Sequence, residues 1–135
     1  MKNSEIIKTI FLPVDVKTAW AYLTEPDKLA KWFHAPKEAL KSGSAYTLYG
    51  SESGNKMCWG KVKTMNPYTE LAYSFSITPA PDLETQVHWT LDQLEGGTRI
   101  KLRHTGVGAA GMGLLSGLDA GWDGHFASLR GAAQS

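Results

Sequence analysis

The chain has 135 residues, enough for one domain, residues 1–135, that buries roughly two-thirds of the surface its unfolded form exposes. A net charge of +1, with acids and bases interspersed, offers no basic stripe for a phosphate backbone and no acidic tail, which excludes nucleic acid as the expected partner. The single cysteine, Cys58, has no disulfide partner and no Cys or His at zinc-finger spacing; residues 1–5 lead into no secretory signal or membrane-length apolar run, so the expected location is a reducing cytoplasm.

In chain order, residues 6–12 alternate loosely, carry β-branched side chains and stop at Pro13, predicting a first strand. Asp15 is placed to cap a helix in which Val16, Ala19, Trp20 and Leu23 share one face. Thr24 with Asp27 resembles a capping box and Pro26 suits a first helical turn, so a second short helix is expected to carry Leu29, Trp32 and Phe33 on one side. From Tyr46 the period changes to two. Tyr46 and Leu48, the turn-forming residues 50–55 and a strand from Met57 to Met65 make a hairpin.

A turn at Asn66-Pro67-Tyr68 leads to a strand with Leu71, Tyr73 and Phe75 on one face. Beyond a Pro79-Ala80-Pro81 loop, Val87, Trp89 and Leu91 alternate with Gln86, His88 and Thr90. Gly96-Gly97 then turns the chain into Ile100, Leu102 and His104, opposite Arg99, Lys101 and Arg103. Residues 106–113 form a glycine-rich crossing without the Lys-Ser/Thr of a phosphate loop. The chain closes with Leu115, Leu118, Trp122, Phe126 and Leu129 at helical steps, an apolar stripe that only the sheet face is large enough to cover. Gly117, Gly121 and Gly124 each cost about 1 kcal/mol relative to Ala within that helix, so it is expected to be short, bent or loosely held.

The order strand, two helices, five antiparallel strands and long helix is similar to the helix-grip fold of the START/Bet v 1-like (SRPBCC) superfamily: α+β, with a six-stranded curved antiparallel sheet wrapped around a C-terminal helix. Residues 19–24, 29–33, Gly60-Lys61-Val62, residues 98–106 and Gly121-Trp122 with Leu129 resemble the single-domain bacterial relatives of the C-terminal domain of the activator of Hsp90 ATPase. The resemblance implies a cavity between sheet and helix. Functions across the superfamily range from lipid carriage to polyketide cyclisation, toxin sequestration and chaperone activation, so the fold does not choose among them.

The candidate ligand-binding residues are Trp32, Tyr46, Tyr73, Phe75, Trp89, His104, Trp122 and Phe126. Tyr73, Phe75 and Trp89 face the same side, and Trp122 and Phe126 project toward them from the helix. They either line an apolar cavity or fill the core. Trp32 and Phe33 sit where this fold usually has the cavity mouth, with core packing as the rival reading. Alternation aims His104 inward, where it either serves a ligand as hydrogen-bonding or acid–base group or is a core histidine satisfied by its neighbours. His88 alternates outward. His34 and His125 have no carboxylate or Cys at a recognisable metal or nucleophile spacing. Asp119 and Asp123 share a helix face, either as an acid–base pair or as its solvated side.

No triad, nucleotide loop or metal cluster is present, so no cofactor or metal is expected. The leading expectation is a binding protein for a small hydrophobic or aromatic molecule, with His104 and Tyr46 or Tyr73 orienting it. The alternatives are a cyclase or dehydratase acting in the same cavity through His104, and a modulator of an Hsp90-type ATPase; a homodimer is possible in any of these.

Overall fold

A computed structural model describes residues 4–50 and 52–134; the first three residues of the N-terminal reading and Ser51 of the predicted turn lie outside them. The strands are β1 (Glu5–Leu12), β2 (Ala45–Tyr49), β3 (Lys56–Asn66), β4 (Glu70–Ile77), β5 (Ala80–Leu94) and β6 (Gly97–Thr105), joined in one antiparallel sheet of order β1-β6-β5-β4-β3-β2. Helices α1 (Val16–Thr24) and α2 (Pro26–Leu29) separate β1 from β2, and α3 (Met112–Ala133) follows the sheet. This is the α+β helix-grip architecture, with a curved sheet.

The sheet curves where its strands gain residues. Register shifts occur at Leu48/Tyr49, Val62/Thr64 and Phe75/Ile77, and each such irregularity bends its strand and adds twist. The last shift accounts for a departure from the sequence reading. Residues 78 and 79 alone make the turn, β5 starts at Ala80, and residues 81–84 bulge out between the pairs Phe75↔Thr85 and Ile77↔Ala80. Pro81 is tolerated there because a bulged residue owes no N–H to the ladder. At Gly60 the bend brings the Ser74 carbonyl so close that any Cβ would collide with it.

Alternation holds through the regular ladders. Ile6, Ile10 and Leu12, then Val87, Trp89 and Leu91, then Ile100, Leu102 and His104 are buried on the concave face. α1 begins where predicted, with the Asp15 carboxylate accepting from the Thr18 backbone N–H at 2.8 Å. α2 is shorter than expected and the capping box does not form. Thr24 Oγ1 donates to the Trp20 carbonyl instead, and the chain turns after Leu29 so that the Trp32 indole N–H reaches the Tyr22 carbonyl at 2.8 Å. Trp32 and Phe33 are buried from that turn rather than from a helix. Within the glycine-rich crossing, Val107–Ala110 forms a 3-10 turn that buries Val107.

α3 is a full 22 residues despite its glycines. It is pinned by Trp122, Phe126, Leu129 and Ala133, and the Tyr22 hydroxyl donates to the Ala132 carbonyl at 3.1 Å. Asp119 and Asp123 both hold Lys8 Nζ, at 2.8 and 2.9 Å, on the solvent side of the helix, and these carboxylates above all raise the lysine pKa. A Cβ at Gly124 meets nothing within 4 Å, so Gly124→Ala is expected to raise unfolding stability by about 0.5–1 kcal/mol in chemical denaturation. A loss of stability there would mean that the glycine serves a purpose other than packing.

Candidate functional site

Between the N-terminal half of α3 and the β3–β4 end of the sheet lies a solvent-connected cavity of about 380 Å³. Such a volume falls near the lower end of the roughly 300–1,000 Å³ typical of small-molecule sites. The sheet contributes Met57 and Cys58 from β3 with Phe75 and Ile77 from β4, and Pro79 closes that side. From α3 come Gly117, Leu118, Gly121, Trp122 and His125, and from the segment after α2 come Phe33 and His34. Among the described residues the wall carries no carboxylate, ammonium or guanidinium group.

The helix leaves this space open because of its glycines. Gly117, Gly121 and His125 stand four residues apart, on one face. At both glycines a Cβ would meet nothing within 4 Å. Residues that are liabilities for helix formation thus remove the side chains that would otherwise fill the gap. Aromatic stacking shapes the opposite wall. Phe33 lies parallel to Trp122 with centroids 5.3 Å apart and to Phe75 at 6.3 Å.

Of the residues singled out in the sequence, Phe75 and Trp122 stand on this wall. Trp89 and Phe126 lie behind Trp122, with ring centroids 5.6 and 6.1 Å from it. Trp32 stacks behind Phe33 at 5.2 Å. Tyr73 accepts from the Trp89 indole at 2.9 Å, and the Tyr46 hydroxyl donates to the Ser74 carbonyl at 2.6 Å. Tyr46 instead borders a separate space of about 440 Å³ beside Leu40. Burial pushes both phenols and the Cys58 thiol well above their ordinary pKa values, so all three stay protonated.

His104 is fully buried, and its hydrogen bonds determine its state. The Trp122 indole is a donor only, so His104 Nδ1 accepts from it at 3.1 Å. The proton therefore sits on Nε2, which donates to Thr85 Oγ1 at 2.7 Å, while the Thr85 hydroxyl donates onward to the Phe75 carbonyl. Burial lowers the ring's pKa to about 4. Both nitrogens are engaged by protein groups, an arrangement that favours the structural role weighed for this residue above. A void of about 10 Å³ beside it, reaching Leu118, offers space for no more than about one water.

His34, Met57, Cys58, Ile77, Pro79, Gly117, Gly121 and His125 line the cavity although the sequence did not mark them as a site, and Phe33, placed at the cavity mouth with core packing as the rival reading, lines it as well. The available signal was the step from Gly117 to Gly121 to His125 beside a tryptophan. His34 and His125 meet edge to face, centroids 5.4 Å apart. Burial lowers the pKa of both; His125 lowers that of His34 further, and the Trp32 carbonyl partly offsets the shift at His125. Among the described residues there is no group of three or more His, Cys, Asp or Glu able to hold a metal, and no helix long and apolar enough to cross a membrane.

A model of the activator of Hsp90 ATPase homolog 1-like proteins matches residues 13–134. The chain belongs to this family. No curated protein matches it. Among solved structures, it is similar to DynU16, described as a protein in the dynemicin biosynthetic locus, at 20% identity and a TM-score of 0.86; the match covers 99% of this chain but only 48% of DynU16, so the chain spans about half that protein's length. Protein MLL2253 of Mesorhizobium loti matches at 20% identity and a TM-score of 0.84, over 96% of both chains. The Aha1 dimer of Colwellia psychrerythraea matches at 19% identity and a TM-score of 0.80, again over 96% of both. At these identities the likeness establishes the family member's fold.

Proposed function

We propose that this Aha1-like protein binds a small hydrophobic or aromatic molecule in the cavity between β3, β4 and the N-terminal half of α3. The observation that carries the reading is the uncharged, aromatic-walled space kept open by Gly117 and Gly121. Affinity would come from burying apolar surface at about 25 cal/mol per Å², with Phe33, Phe75 and Trp122 offering ring faces. Catalysis of a cyclase type finds less support, because the His104 nitrogens are already spent on Trp122 and Thr85.

Native mass spectrometry of freshly purified protein, followed by a thermal-shift screen of aromatic compounds, tests this. A ligand at about 100 times its Kd is expected to raise Tm by roughly 5–10 °C. Gly121→Phe, which directs a ring into the open space, is expected to fold normally and to lose that shift. The absence of any co-purifying molecule and of any shift, or a shift unchanged in Gly121→Phe, overturns the assignment.

A further inference from the structure

We infer that His34 and His125 form the polar recognition element of this cavity and select an aromatic guest bearing a hydroxyl, of phenolic type, over the same ring without one. The inference rests on the cavity reading above and adds the chemistry of the ligand. His125 Nδ1 lies 3.2 Å from the Trp32 carbonyl. A carbonyl only accepts, so the proton of the neutral ring sits on Nδ1 and Nε2 is a bare acceptor. No hydrogen bond from the described residues reaches Nε2, and the ring geometry points it away from Trp32. The fixed tautomer therefore asks for a donor.

His34, beside it, makes ring contacts with Phe33 and His125 but has no hydrogen bond among the described residues. Its tautomer is free to supply the complementary N–H. A hydroxyl satisfies both rings, giving its hydrogen to His125 Nε2 and accepting at its oxygen from His34. The attached ring then lies against Phe33 and Trp122, which stack on each other and meet the His125 imidazole edge to face. A carboxylate suits the place less well. Both imidazoles are biased to the neutral form by burial, and the one other titratable group that the described residues bring to the wall, Cys58, is a protonated thiol. Nothing there compensates a desolvated negative charge.

The test compares calorimetric titrations of 2-naphthol and naphthalene at pH 7.5 into the wild type, His125→Asn and His34→Ala. Naphthalene is the more hydrophobic probe, so apolar burial alone favours it. The Asn amide keeps a donor for the Trp32 carbonyl but removes the acceptor at the Nε2 position, which separates recognition from structure. The wild type is expected to bind 2-naphthol roughly fivefold or more tightly than naphthalene, as one well-placed hydrogen bond provides. His125→Asn is expected to lose that preference, the ratio of 2-naphthol to naphthalene affinity falling to about one, and His34→Ala to reduce it. A wild type that binds both probes without preference, or a preference intact in both variants, overturns the inference while the cavity reading stands. A wild type that binds neither overturns the cavity reading as well. Should His125→Asn fail to fold, the wild-type comparison and His34→Ala decide by the same criteria.

Discussion

His104→Leu is expected to cost about 1–3 kcal/mol of unfolding stability at pH 7, and to lose most of that disadvantage by pH 5. Leucine fills the space but accepts nothing. The Trp122 indole N–H, buried with its ring, is left without a partner, and an unsatisfied buried donor carries the full penalty of its desolvation. Thr85 is less affected because its own proton still goes to the Phe75 carbonyl. The pH dependence follows from the native ring titrating near 4 against 6.5 for the ordinary group. Between those values the unfolded chain holds the extra proton, so the wild type loses stability as pH falls, by about 2 kcal/mol at pH 5 and up to ~3 kcal/mol below pH 4. The variant lacks this linkage. His34 and His125, also shifted downward, add acid sensitivity of the same sign to both proteins and cancel in the comparison. Urea titrations at pH 7, 6 and 5 read the gap directly. A gap that stays constant with pH would show that His104 is not held neutral by its surroundings.

The same residue shows how far the sequence could be read. Strict alternation from Ile100 to His104 placed the imidazole inside, because a half-buried antiparallel strand has a side-chain period of two. Its partners were out of reach. Thr85 lies at the end of the bulge made by residues 81–84, where the period breaks and facing directions no longer follow from counting. The short α2 is a similar case, since Trp32 is drawn into the core by the Tyr22 carbonyl, a tertiary contact that local capping patterns do not encode. The regular hairpins were legible for the opposite reason: turn residues and alternation there point to the same register.

The cavity was the least legible part. Aromatic side chains advertise themselves in a sequence, and most of those singled out, among them Trp32, Tyr73 and Trp89, form the packed layer behind the wall. Empty space is made by what is missing. Gly117 and Gly121 read as weaknesses of α3, and only coordinates show that the missing side chains face the sheet rather than solvent alone. The cost in helix propensity and the open volume are two consequences of one choice of residue.

That choice makes α3 depend on docking, and Trp122→Ala is expected to expose the dependence. Trp122 packs against Phe33, Phe75, Trp89, Phe126 and both His104 and His125, and gives its N–H to His104. Truncating a buried tryptophan typically costs about 3–5 kcal/mol. Here the loss is expected to fall unevenly. A glycine-poor helix would retain some structure when undocked, but α3 carries Gly113, Gly117, Gly121, Gly124 and Gly131, each lowering its intrinsic stability by up to about 1 kcal/mol relative to Ala. The buried anchors left, Phe126, Leu129 and Ala133, all lie C-terminal to position 122, while the segment before it has the weaker hold of the half-buried Leu115 and Leu118 and the half-exposed Asp119–Lys8 ion pair. Residues 112–121 are therefore expected to lose amide-exchange protection well before β4, β5 and β6, by opening locally rather than with the whole domain. Adding Gly124→Ala to Trp122→Ala should restore part of that protection. Equal loss across helix and sheet would show that α3 unfolds only with the whole domain, and that its glycines do not set its local stability.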